Sequence, residues 1–134
     1  SGVKIEVNAR PHESGVKATG IDIVSNEKTS SDVHRLLEAR YGSRVALLDF
    51  NTVTAIHEPR ASKGNALALI AEDLGVDRSQ VLAIGDGIND VSMLSWAGQS
   101  GTPAHGDSYA KDSAKEVLKG EGVSGVVARL MSVL

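Results

Sequence analysis

Residues 81–90, Val-Leu-Ala-Ile-Gly-Asp-Gly-Ile-Asn-Asp, decide how this chain folds. The first four residues form a continuous apolar run, the pattern expected of a short strand buried on both faces of a parallel sheet. A glycine-rich turn with two acids follows directly, at the strand end where ligands bind in α/β sheets. The segment therefore predicts an α/β fold with a polar site at the carboxyl edge of its sheet.

The two acids of this segment, Asp86 and Asp90, are the strongest candidates for chemistry. Gly85 and Gly87 permit unusual dihedrals and close backbone approach, so both carboxylates can point at one spot. Mg²⁺ prefers oxygen ligands and usually takes one or two protein carboxylates together with phosphate and waters. With Asn89 as a neutral donor and acceptor between them, the acids predict a metal site formed by Asp86, Asp90 and Asn89. The alternative is a structural turn in which Asp90 only caps a helix.

Lys63 is the candidate for phosphate binding and catalysis. It lies 23 positions before Asp86, at the predicted start of the helix that precedes the strand. An ammonium group beside helix N–H groups favours phosphate, and Gly64 allows close approach. The alternative is an ordinary solvated lysine.

After Pro59 the pattern alternates helices with the buried strand. Residues 101–107 are rich in turn formers and predict a loop. The predicted helices are Ser62–Leu74, Asp90–Ala97, Ser108–Leu118 and Val123–Leu134, and Ser62 is the predicted cap of the first. Their predicted buried stripes are Ala66, Leu67, Ile70, Ala71 and Leu74 in the first, and Val126, Val127, Leu130 and Leu134 in the last.

Before Pro59 the sequence reads mostly as strands with one helix. The helix is predicted over Ser31–Tyr41, capped by Ser31 or Asp32 and ended by Gly42. The predicted strands are Val3–Val7, Ile21–Val24, Arg44–Phe50 and Thr52–His57. This order predicts a small antiparallel sheet with a helix on one face.

Composition excludes several classes of site. The chain has no cysteine, which rules out disulfides and Cys-ligated zinc and is consistent with a cytoplasmic protein. A net charge of −3 and 3% aromatic residues disfavour nucleic-acid binding, which needs a basic face or stacking platforms. No apolar run approaches the roughly 20 residues of a membrane span. The histidines, His12, His34, His57 and His105, show no metal-ligand spacing, although His105 and Asp107 lie in a loop that could line the site.

Two stretches of this half carry a resemblance to a known family. Residues 62–67, Ser-Lys-Gly-Asn-Ala-Leu, and residues 81–94, continued by Ala97-Gly98, resemble the third and fourth signature motifs of haloacid dehalogenase (HAD) superfamily phosphatases of the Cof-like type. The resemblance implies that residues 59–134 are the C-terminal half of a Rossmann-like HAD core, a parallel sheet with helices. It implies that residues 1–58 are part of an α+β cap.

The resemblance also implies an activity, that of a Mg²⁺-dependent phosphatase acting on a small phosphorylated metabolite. Asp86 with Asp90 would hold the metal, Asn89 would order the site, and Lys63 would pair with the nucleophile and the phosphoryl oxygens. The family's nucleophile is an aspartate in a DxD motif, and the nearest stretch here, residues 22–24, has valine at the third position. We therefore expect a fragment that is inactive alone, with a complementary N-terminal half or self-association as partner.

Two further readings are open at this point. One is a non-catalytic or split-chain binding or regulatory module. The other is the phosphorylation domain of a P-type ATPase, which shares the glycine-rich loop and the upstream lysine, although residues 91–94 fit phosphatases better. Sugar phosphates, phosphoglycolate and nucleotide or cofactor phosphates are all open as substrates.

Overall fold

The computed structural model describes residues 19–120 and 122–133. The chain divides into two compact units between Pro59 and Arg60. The predicted strand Val3–Val7 lies outside the described residues, as does His12. No helix in the described part has the length and apolar character needed to cross a membrane.

The first unit is a three-stranded antiparallel sheet with one helix. The strand order is β1-β3-β2, and the helix contacts β2 and β3. The β2–β3 hairpin turns at Asn51, which has a positive φ of 66°, a conformation that asparagine tolerates better than most residues. In chain order the elements are β1 (Gly20–Val24), α1 (Ser30–Tyr41), β2 (Ala46–Asp49) and β3 (Val53–His57). The predicted order of strand, helix and hairpin is confirmed.

The start of α1 differs from the prediction. The N-cap is Thr29, and its side chain makes no capping hydrogen bond, so the predicted cap at Ser31 or Asp32 is wrong. The reason lies in Ser30, which is buried and donates its hydroxyl to Oδ1 of Asp49 at 2.8 Å. This bond to the sheet fixes the helix start one residue earlier than predicted.

The second unit is a parallel sheet with helices, as expected of an α/β fold. The strand order is β4-β5-β6, and both pairings are parallel. Within the described residues β4 pairs only with β5, so its other edge carries no strand. In chain order the elements are α2 (Lys63–Asp73), β4 (Leu82–Ile84), α3 (Val91–Trp96), β5 (Gln99–Thr102), α4 (Ser108–Ser113), β6 (Glu116–Val117) and α5 (Val123–Met131).

The core of this unit forms where α3 covers the sheet. This helix contacts β4 and β5 and also packs against α2 and α4. The buried apolar side chains are alanines except for Leu94 and Leu118, so the layers lie close together. The cluster comprises Ala83, Leu94, Ala97 and Ala110, with Leu67, Val81, Met93, Trp96 and Ala114 partly buried around it.

Strands β5 and β6 correct two predictions. The predicted loop over 101–107 begins as strand, because β5 runs between β4 and β6. The predicted helix over 108–118 is wrong beyond Ser113, where α4 ends. The N–H of Lys115 then donates to Oγ of Ser100 at 3.1 Å, and β6 pairs with β5. Pairing with a buried strand satisfies backbone groups that would otherwise have continued the helix.

The predicted apolar stripe of α2 is only partly buried. Ala71 is buried, but Ala66 is exposed and Ile70 and Leu74 are 56% and 68% exposed, so the prediction is wrong for these three residues. The helix turns a different side to α3, the one that carries Gly64, where a Cβ would come within 2.5 Å of the carbonyl oxygen of Ser92. Close backbone contact at the glycine therefore sets the rotation of the helix.

The predicted stripe of α5 is also wrong in part. Val127 and Leu130 are exposed, whereas Gly125 is buried and Arg129 is partly buried. Arg129 forms an ion pair with Glu116 and donates to Oε1 of Gln99 at 2.5 Å. These contacts turn the Arg129 side of the helix toward the sheet. Leu134 lies outside the described residues.

Candidate active site

The glycine-rich loop joins β4 to α3 at the carboxyl edge of the sheet. The chain leaves the sheet after Ile84 and enters α3 through a short 3₁₀ turn, Ile88–Asp90. A Cβ on Gly85 would lie 2.5 Å from the Cβ of Asp90. The missing side chain of Gly85 thus leaves the space that the Asp90 side chain fills.

Asp90 connects the loop to Lys63. Its Oδ2 atom accepts hydrogen bonds from the N–H groups of Asp86 at 2.9 Å and Gly87 at 3.2 Å. Its Oδ1 atom pairs with the ammonium group of Lys63. Asp90 is only 4% exposed, whereas the Lys63 side chain is 50% exposed. One buried carboxylate therefore binds both the loop that carries Asp86 and the ammonium group of Lys63.

These contacts also keep Asp90 ionised. Burial acts to raise the pKa of this carboxyl group, because a charge is less stable away from water. The hydrogen bonds from Lys63, Asp86 and Gly87 favour the charged form and outweigh burial, so the pKa lies below its ordinary value.

At the start of α2, the group most available to bind an anion is the side chain of Lys63, not the backbone amides. Ser62 is the N-cap, as predicted, and its hydroxyl accepts from the N–H of Asn65 at 3.2 Å. The N–H of Gly64 donates to Oγ of Ser92 at 3.0 Å. Two amides of the first turn are therefore bonded to serine hydroxyls. What this helix terminus offers an anion is mainly the half-exposed ammonium group of Lys63.

Asp86 and Asn89 lie exposed on the open side of the loop. The carboxylate of Asp86 makes no hydrogen bond or ion pair with any other described residue. A Cβ on Gly87 would lie 3.0 Å from Oδ1 of Asn89 and 3.9 Å from Oδ2 of Asp107. Oxygen atoms from two separate loops thus face the side of Gly87 where a side chain is missing.

The loop after β5 forms the second wall of this site. The N–H of Asp107 donates to the carbonyl of Asp86 at 2.9 Å, and its Oδ1 atom accepts from the N–H of Ala110 at 2.7 Å, capping α4. His105 and Asp86 line one cavity of about 260 Å³. The remaining lining residues are Ile84, Gly85, Pro103, Gly122 and Val126. The sequence left the positions of His105 and Asp107 open, and the structure places both beside Asp86.

The other described histidines lie in the first unit. Nδ1 of His57 lies 3.0 Å from the carbonyl oxygen of Glu58, and Nδ1 of His34 is buried without a hydrogen-bond partner. Across residues 19–120 and 122–133, no three histidine, aspartate or glutamate side chains are grouped closely enough to hold a metal by themselves.

The motif residues and their arrangement agree with a match to a family model. The model of the haloacid dehalogenase-like hydrolases matches residues 3–130. The chain belongs to this family. A phosphoglycolate phosphatase of Methanopyrus kandleri is 32% identical over 126 residues, which cover 93% of this chain and 54% of that protein. A phosphoglycolate phosphatase of Aeropyrum pernix is 38% identical over 79 residues, 59% of this chain and 33% of that protein.

Solved structures of the family share the fold. A HAD/COF-like hydrolase from Plasmodium vivax superposes with a TM-score of 0.75 at 25% identity, covering 86% of this chain and 41% of that one. The chain thus spans about half the length, or less, of the relatives it matches.

Proposed function

We propose that this chain is part of a Mg²⁺-dependent phosphatase that acts on a small phosphorylated metabolite. The observation that carries the proposal is the double attachment of Asp90, to the ammonium group of Lys63 and to the amides of the Asp86 loop. One buried carboxylate thus binds both a half-exposed ammonium group and the backbone of a loop whose Asp86 carboxylate is exposed, and this supports the proposal. Phosphoryl transfer needs this combination, because its catalysis depends mainly on positioning and on stabilising negative charge.

The residues present suit a Mg²⁺ ion. Asp86 offers an exposed carboxylate without a protein partner among the described residues, and Asn89 offers an amide oxygen beside it, both hard oxygen ligands of the kind Mg²⁺ takes. Asp90 would contribute mainly by holding the loop that carries these ligands, since its oxygens already accept three hydrogen bonds. A divalent cation bound there would neutralise charge on the phosphoryl group.

Lys63 is the proposed catalytic residue, and Lys63, Gly64 and Asn89 are the proposed phosphate-binding residues. The ammonium group of Lys63 is exposed enough to reach a phosphoryl oxygen while it remains paired with Asp90. Asn89 can donate from its amide nitrogen. The N–H of Gly64 already donates to Ser92, so a phosphate contact by Gly64 would have to replace that bond.

The aspartate nucleophile of the family has no match in these 134 residues, and we propose that a complementary N-terminal half supplies it. Three observations support this. The chain spans 54% of its M. kandleri relative. The outer edge of β4 pairs with no described strand, although it borders the Asp86 loop. On α2, Ile70 and Leu74 are exposed apolar residues that a further layer would cover. By the names of the relatives, phosphoglycolate is the first substrate to test.

Reconstitution tests this function. The chain would be assayed alone, and again after coexpression with the N-terminal half of the M. kandleri phosphatase, for release of phosphate from phosphoglycolate with Mg²⁺ or with EDTA. We expect no turnover alone and Mg²⁺-dependent turnover from the pair. Pairing with a half in which the DxD nucleophile is changed to asparagine is the matched control. Turnover by the chain alone, or a folded pair that stays inactive, would contradict the proposal.

A further inference from the structure

Gly64, at the start of α2, contacts Ser92, at the start of α3. The N–H of Gly64 donates to Oγ of Ser92 at 3.0 Å. Gly64 is buried, and a Cβ on it would lie 2.5 Å from the carbonyl oxygen of Ser92. The two backbones therefore touch, and the hydroxyl group of Ser92 bonds across the contact.

Both residues of this contact are close in sequence to the residues of the ion pair. Gly64 directly follows Lys63, and Ser92 lies two residues after Asp90. A lysine has a flexible four-carbon stem, so its ammonium group can reach a carboxylate from several backbone positions. The ion pair alone therefore leaves the α2 terminus loosely placed, whereas the bond from the N–H of Gly64 to Ser92 holds the backbone of α2 directly.

We propose that Ser92 is a positioning residue for Lys63. Its hydroxyl group binds the N–H of Gly64 and thereby sets where the ammonium group of Lys63 contacts Asp90. If the proposed function holds, the same bond sets where this ammonium group contacts the phosphoryl group, and this part of the inference rests on that function. Nothing in this role requires Ser92 to touch the substrate. Its side chain is half-buried, and its hydroxyl group accepts a hydrogen bond from the N–H of Gly64.

The same helix offers a matched control. Ser95 is exposed, and its backbone carbonyl, not its hydroxyl, accepts the bond from Arg78 at 3.1 Å. The Ser95 hydroxyl group makes no hydrogen bond with a described residue of α2, so Ser95→Ala removes a hydroxyl group from α3 and leaves the bond between Gly64 and Ser92 in place. Ser92→Thr keeps the hydroxyl group that Ser92→Ala removes, and Asp90→Asn shows the result of losing the ion pair itself.

The first readout is exchange of the Lys63 ammonium protons with water, measured by NMR on the whole chain. A lost hydrogen bond corresponds to a change of about 3- to 10-fold in the equilibrium that it controls. We therefore expect Ser92→Ala to speed the exchange about 3- to 10-fold toward the Asp90→Asn value. Ser92→Thr should stay close to wild type, and Ser95→Ala should change it less than about 2-fold. Wild-type exchange in Ser92→Ala, or equal acceleration in Ser95→Ala, would overturn the proposal.

The second readout separates positioning from general stability. The affinity for inorganic phosphate in the presence of Mg²⁺ is measured in a double-mutant cycle of Ser92→Ala with Lys63→Met. If Ser92 acts through Lys63, Ser92→Ala weakens phosphate binding about 3- to 10-fold in the wild-type background and has no further effect in Lys63→Met. Equal effects in both backgrounds would overturn the proposal. Absence of phosphate binding by the wild-type chain would count against Lys63 in the proposed function, while the ammonium exchange still decides the role of Ser92.

Discussion

The ammonium group of Lys63 rests on Oδ1 of Asp90, a carboxylate 27 positions further along the chain. The other oxygen of the same carboxylate binds the amides of Asp86 and Gly87. The loop amides and the ammonium group of Lys63 therefore bind the same buried carboxylate, and perturbing it should affect both.

Stability should depend on the ionisation of Asp90. Its pKa in the folded chain is lowered, so folding favours the ionised form and the carboxylate stabilises the fold above the ordinary aspartate pKa of about 3.9. This contribution is lost as the pH falls through the lowered value. Asp90→Asn should cost about 1–3 kcal/mol at pH 7, because charged hydrogen bonds are lost. Urea unfolding between pH 7 and pH 2 measures this, and the gap between wild type and variant should narrow below about pH 4. A gap that stays constant with pH would contradict the assignment.

Asp86→Asn should separate metal binding from folding. Asp86 is exposed and has no partner among the described residues, so the unfolding free energy should change by less than about 0.5 kcal/mol. Mg²⁺ affinity, followed by NMR shifts of the loop amides, should fall at least about 10-fold, since a neutral amide replaces a charged ligand. Asp112→Asn makes the same charge change at an exposed residue of α4 and should leave the affinity unchanged. An unaltered affinity in Asp86→Asn would remove Asp86 from the metal site.

Gly64→Ala should destabilise the chain although alanine favours helices. Propensity alone would stabilise by about 1 kcal/mol, but the new Cβ would lie 2.5 Å from the carbonyl oxygen of Ser92. Overpacking of this kind costs about 1–3 kcal/mol. Chemical denaturation measures the sum, and Ala66→Gly on the exposed side of α2 measures propensity alone. Adding Ser92→Gly should not restore the stability of Gly64→Ala, because the obstructing atom is the backbone carbonyl oxygen of residue 92, which glycine also has. Restored stability would show that the Ser92 side chain is the obstacle.

Asp107 should be replaceable by asparagine but not by alanine. Its side chain caps α4 through the N–H of Ala110, and asparagine caps about as well as aspartate. Asp107→Ala should therefore cost about 1 kcal/mol in thermal or urea unfolding, and Asp107→Asn much less. If the two variants lose equal stability, the charge of Asp107 matters more than its capping bond.

The site was predictable from sequence to the extent that it depends on local pattern. An apolar run followed by two glycines and two acids defines the turn at the end of β4, and Ser62 marks the start of α2. That Asp90 would take the two loop amides and Lys63 at once was not predictable, because it depends on how α2 packs against α3. The contribution of Asp107 depends likewise on β5 lying beside β4.

The elements that sequence missed are those whose stability comes from neighbours. Strand β5 reads Gln-Ser-Gly-Thr and has neither apolar alternation nor β-branched runs, yet it is the central strand of its sheet. Strand β6 lies in a charged stretch that fits a helix, and only pairing with β5 extends it. The prediction that Ile70 and Leu74 are buried failed for a related reason. Their side chains are apolar, but among the described residues no neighbour covers them.

Strand β5 also affects how this sequence can change over time. Ser100, Gly101 and Thr102 are all buried, and a Cβ on Gly101 would lie 2.6 Å from the side chain of Leu118. Gly106 is equally confined, with a Cβ position 2.3 Å from Oγ1 of Thr102. These small and polar residues resemble a surface loop in composition, but they should tolerate substitution as poorly as core residues do. Drift in related sequences should therefore accumulate on the exposed faces of α2 and α5, while this inconspicuous stretch stays small.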